Sequence, residues 1–129
     1  MINSKPCKPC FDKESWEKEI NRIYTTCAHE VISLQEKFGQ YEKDDKEMIF
    51  AKWETIQNLL KEVPTRVEFI EMIESVGLCF DDFEALYGPE KIKDAVLYGK
   101  DLKDRYSVLW LYYMYGDWKK TESFIQFKK

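Results

Sequence analysis

The residues best suited to chemistry in this sequence are two cysteines near its start, Cys7-Lys8-Pro9-Cys10, at the spacing of a redox dithiol or of half a zinc site. A redox pair of that kind needs a strand before it and a βαβ unit around it, and only six residues precede Cys7. A zinc site would need two more ligands, which could come only from Cys27, His29 or Cys79. Cys27 falls on an apolar helical stripe, where a small buried hydrophobe is the simpler assignment.

His29 is the sole histidine, so any nucleophile–histidine arrangement must be built on it or not at all. Its neighbours at helical spacing suggest a solvent-side or partly packed ring. The carboxylates sit mainly on helix faces, as Glu14 with Lys18 and Glu90 with Asp94, and read as solvated surface. The densest charge alternation, Lys100-Asp101-Leu102-Lys103-Asp104-Arg105, reads as the charged opening of the last helix, with Asp101 near the positive end of its dipole. No catalytic, cofactor-binding or metal-ligating residue is therefore assigned.

The elements that would position these groups are helices. Trp16, Ile20, Ile23, Tyr24, Cys27, Val31, Leu34 and Phe38 recur at steps of three and four, predicting one amphipathic helix that stops near Gly39. Ile49, Trp53, Ile56, Leu60 and Val63 predict a second, ended by Pro64. Thr65 and Glu68 form a capping-box pattern opening a third helix, which should end at Gly77. Asp81 is placed to cap a short turn over 82–87. Gly88-Pro89 opens a helix to about Tyr98, and a last one covers Leu102 to Tyr115, apolar on every side in its second half. The expected fold is all-α, a bundle of five or six helices forming a single domain over residues 13–129, behind a flexible segment, 1–12.

Composition narrows the function classes. With 44% hydrophobic and 16% aromatic residues, a packed core is expected. A net charge of −4 with interleaved signs offers no basic field for nucleic acid and no basic face for anionic lipid. The start of the chain has no apolar run of signal-peptide length. The longest apolar stretch, Val108 to Tyr115, is far short of the ~20 residues needed to span a bilayer. The expected setting is cytoplasmic, with the four cysteines reduced.

The order of several segments carries a resemblance. Trp16-Glu17-Lys18-Glu19-Ile20, Leu34-Gln35-Glu36-Lys37, Lys52-Trp53-Glu54-Thr55-Ile56, Val63-Pro64-Thr65, Val76-Gly77 and Asp94-Ala95-Val96-Leu97-Tyr98 through Arg105-Tyr106-Ser107 follow one another as in the C-terminal helical region of sn-glycerol-1-phosphate dehydrogenases. These belong to the iron-containing alcohol dehydrogenase and dehydroquinate synthase superfamily. The resemblance implies a helical domain whose full-length relatives bind NAD(P) and a divalent metal such as zinc or nickel, and reduce dihydroxyacetone phosphate. The glycine-rich nucleotide loop is absent here, and the metal ligands of that family lie upstream of the matching stretch. The chain is thus expected not to be catalytic alone and to need no cofactor alone.

One expectation is a small metal or thiol protein centred on Cys7 and Cys10, and two further functions follow. In one, the chain is a detached dehydrogenase domain that works with an N-terminal nucleotide-binding half supplied in trans. In the other it is a free-standing interaction or dimerisation module, a homodimer being the simplest form, with the Trp110–Tyr115 helix near the contact.

Overall fold

The computed structural model describes residues 9–116, and every ordered element among them is helical. They fall into two compact units. One holds the residues up to Tyr41 together with those from Pro89 onward; the other is Glu42–Gly88.

The first unit opens with α1, Lys13–Tyr24, capped by Asp12, whose carboxylate accepts from the Ser15 amide at 3.3 Å and from the Ser15 hydroxyl at 2.7 Å. Trp16 and Ile20, one turn apart, are buried. The single helix expected from Trp16 to Phe38 does not form. Thr25, at φ 45° and ψ −108°, ends α1, and a 3-10 turn over Thr25–Cys27 leads into α2, Ala28–Phe38. Two adjacent β-branched threonines are weak helix formers, and the break folds the two segments into a hairpin. Lys13 at the start of α1 meets Glu36 near the end of α2 at 2.7 Å. The apolar spacing stays in phase across the break, which is why the pattern reads as continuous. One consequence is that Cys27, expected in the core, is exposed.

α2 stops as expected at Gly39, which takes the left-handed conformation (φ 57°) and donates its amide to the Gln35 carbonyl at 2.8 Å.

The second unit contains α3, Lys46–Ala51, and α4, Trp53–Lys61, interrupted at Lys52 where one helix was expected. α5, Arg66–Ser75, has the expected capping box: the Thr65 hydroxyl accepts from the Glu68 amide, and the Glu68 carboxylate accepts from the Thr65 amide at 2.7 Å. It ends in a Schellman motif, in which Gly77 (φ 80°) donates to the Glu74 carbonyl and Leu78 to that of Ile73.

α6, Phe80–Tyr98, is interrupted at Gly88 (φ 72°, ψ 160°). Its first part, 80–87, belongs to the second unit; the part from Pro89 belongs to the first. Proline directly after the extended glycine opens the new helix where its missing N–H costs nothing. The chain then makes a 3-10 turn, Gly99–Leu102, and an irregular stretch before α7, Val108–Tyr115. The last helix thus begins six residues later than expected. No helix among the described residues is long and apolar enough to cross a membrane.

Candidate functional site

The first unit closes around an aromatic cluster. Phe11 stacks on Tyr41 with ring centroids 3.9 Å apart, and Tyr41 meets Trp16, Trp110 and Tyr113 at 5.3, 4.9 and 5.5 Å. These rings come from the segment before α1, from α1, from just beyond α2 and from α7, so the cluster ties the unit together through edge-on and stacked contacts.

At its centre lies the pair that the sequence places in solvent. Lys100 is 4% exposed and Asp101 0%, while Leu102 beside them is 46% exposed. The expectation of a charged, solvated helix opening is wrong at these two positions. Residues 99–102 form a tight 3-10 turn instead of joining α7, so the face turned inward changes. The Trp110 indole then fixes the turn by donating to the Lys100 carbonyl at 3.1 Å. From α2, the Gln35 amide donates to the Asp101 carbonyl at 2.8 Å.

The Lys100 ammonium donates to the Leu97 carbonyl at 2.7 Å and to the Asp101 carboxylate at 3.2 Å. It lies 5.0–5.5 Å from the centroids of Tyr41, Tyr98, Trp110 and Tyr113, within cation–π range of all four. The Tyr41 hydroxyl donates to the other Asp101 oxygen at 2.7 Å. Burial pushes the Lys100 ammonium below its ordinary value, opposed by the Asp101 carboxylate. Burial pushes Asp101 above the usual carboxylate value, opposed by Lys100 and by the Tyr41 hydroxyl. The Tyr113 phenol is pushed up to about 12 by burial and the Asp101 charge.

A cavity of about 250 Å³ borders this centre, with Cys10, Trp16, Tyr41, Tyr98, Lys100 and Tyr113 in its wall. A buried amine with a depressed pKa is the type of group that attacks carbonyls. Here, however, the nitrogen is already held by two oxygens and faced by four rings. That arrangement serves as an internal brace: both charges are hydrogen-bonded, which is the condition for tolerating them in a core.

The other sequence candidates are not brought together. Cys10, Cys27 and Cys79 are exposed free thiols, Cys7 lies outside the described residues, and His29 is exposed as expected. Among the described residues no group of three histidine, cysteine or carboxylate side chains could hold a metal ion. Asp94 is not the solvated residue its spacing suggests: Arg22 of α1 grips it with two hydrogen bonds, at 2.7 and 2.9 Å.

The second unit presents a surface instead of a centre. Among the described residues, thirteen of the sixteen exposed large hydrophobic side chains lie in residues 42–88, and Ile49 is the one buried hydrophobe there. An open groove of about 560 Å³ runs between the end of α5 and residues 80–87, lined by Ile73, Leu78, Phe80, Phe83, Leu86 and Tyr87. The Trp110–Tyr115 helix, expected near a contact, is instead largely interior: Trp110, Tyr113, Met114 and Tyr115 are all buried. Sequence reasoning missed the groove because its apolar residues look like ordinary core positions; the signal was that so short a stretch holds more of them than its own helices can cover.

Compared with known proteins, the chain matches no family model, no curated protein and no solved structure.

Proposed function

We propose that this protein is a helical interaction module that binds a partner protein through the apolar surface of residues 42–88. The observation that carries this reading is the concentration of exposed large hydrophobics in that unit, thirteen of the sixteen among the described residues, the kind of clustering that marks an interaction surface. The other unit supplies a rigid, internally braced body. Catalysis has no part in the reading, because the buried amine is committed to structural hydrogen bonds.

Site-specific photo-crosslinking in cells tests it. A photoreactive residue at position 86, where Leu86 is 72% exposed, should give a discrete crosslinked band. The same residue at position 108, where Val108 is 65% exposed in the other unit, should not. Equal crosslinking at both positions, or none at 86, would sink the proposal.

The glycerol-1-phosphate dehydrogenase resemblance bears on the same surface as a proposal of descent. A domain parted from a nucleotide-binding half would be left with an uncovered apolar face of this type. In that case the species crosslinked at 86 would be a nucleotide-binding protein. A band at twice the chain mass would make the module a homodimer.

A further inference from the structure

We infer that the groove between α5 and residues 80–87 accepts a cationic amphipathic helix of another protein; this rests on the interaction-module reading and specifies the partner's chemistry. The argument is one of charge and shape together. Residues 42–88 carry twelve carboxylates against five lysines and arginines, a net charge of −7 in a chain whose total is −4. The bias is sharpest in the stretch that contains the groove, whose wall includes Asp82. Residues 67–88 hold six carboxylates (Glu68, Glu71, Glu74, Asp81, Asp82 and Glu84) and no lysine or arginine. In the same stretch Val67, Phe69, Met72, Val76, Leu78, Phe83, Leu86 and Tyr87 stand exposed.

An apolar trough with Asp82 as the one charged side chain in its wall, set in a stretch without a single lysine or arginine, selects its occupant. A helix with large apolar side chains at i, i+3, i+4 and i+7 can seat them in the trough while lysines and arginines on its flanks meet the carboxylates. The volume, about 560 Å³, lies in the range that holds bulky anchors. Anionic lipid and nucleic acid are repelled by the same field. A second copy pairing this face with itself would set six carboxylates against six, so an isologous dimer across the groove is opposed electrostatically.

The test uses the full chain and three fluorescent helical peptides: a leucine–lysine amphipathic helix, its leucine–glutamate twin, and a scrambled leucine–lysine peptide of the same composition. Anisotropy should show binding of the first alone, weakened by added salt because exposed charge pairs are screened. The variant L78Q/L86Q and the variant D81K/D82K should each bind about tenfold more weakly, while V108Q is unchanged. All substituted residues are exposed, so circular dichroism should match the parent. Equal binding of the glutamate twin or of the scrambled peptide, or no binding at all, overturns the inference. So does self-association through the groove in sedimentation, abolished by L78Q/L86Q, or capture by phosphatidylserine vesicles. If crosslinking at position 86 persists in cells while the lysine peptide fails to bind, the partner chemistry is wrong and the interaction-module reading stands. Loss of both ends both.

Discussion

Both units are built from helices, and they differ in what covers them. In the unit around α1, α2 and α7, ten of the eleven buried hydrophobics among the described residues gather, with a lysine and an aspartate sealed among aromatic rings. In residues 42–88 one helix, α5, has both ends well formed, by a capping box and a Schellman motif, yet most of the unit's large apolar side chains meet water. Helix ends are decided within a few residues; burial is decided by what packs against the helix. The contrast teaches that a sound cap does not imply a core.

The largest effect that could break this comparison comes from the buried pair. Lys100→Met should destabilise the protein by about 3–5 kcal/mol in urea unfolding, because it leaves the Asp101 charge buried without its partner. Lys52→Met, at an exposed position of the second unit, should stay within about 0.5 kcal/mol. The double variant K100M/D101L should recover most of the loss, since removing both charges also removes the cost of burying them. A small effect of Lys100→Met alone would mean that water reaches the pair and that the first unit is not the sealed body described above.

Hydrogen exchange should sharpen the same contrast. α4 and α5 are nine and ten residues long and bury no side chain fully, whereas α1 and α2 bury Trp16, Ile20, Ala28 and Val31. Helices below ~12–15 residues are marginal without packing. Amides in α4 and α5 should therefore exchange about a hundredfold faster than the slowest of α1 and α2. Binding of a partner to the groove should slow the α5 amides selectively. Equal protection in the two units would mean that 42–88 has a core of its own.

What the sequence made legible follows the same division. The all-helical class, the capping box at Thr65 and Glu68, the stops at Gly39 and Gly77 and the restart at Gly88-Pro89 are local signals, and each stands as read. The break at Thr25 was hidden because the apolar residues on either side remain in phase. The placement of Lys100 and Asp101 was hidden for a tertiary reason. Their burial depends on Gln35 and Tyr41 arriving from far earlier in the chain and on Trp110 pinning the turn, none of which has a signature in the local charge pattern. Cys27 moved from expected core to surface by the same break that created the hairpin.

The smallest effect separates two carboxylates by the sign of their pH dependence. Glu68, in the second unit, is held below its ordinary value by the Thr65 amide and hydroxyl. The folded state therefore releases that proton more readily than the unfolded chain does. Its contribution is complete above the ordinary value of 4.5 and is lost as pH falls through the lowered one. Asp101 has the opposite sign. Burial raises it above 3.8, so just above that pH the folded state still holds a proton that the unfolded chain has released, and stability falls as pH rises through the raised value. Carboxyl-carbon NMR titration should show Glu68 below its ordinary midpoint and Asp101 above its own. Asp101→Asn should abolish only the second slope, and Glu68→Gln only the first. Two shifts in the same direction would mean that the carboxylates share one kind of environment, and the distinction between a braced interior and a solvent-facing surface would fail at the level of single side chains.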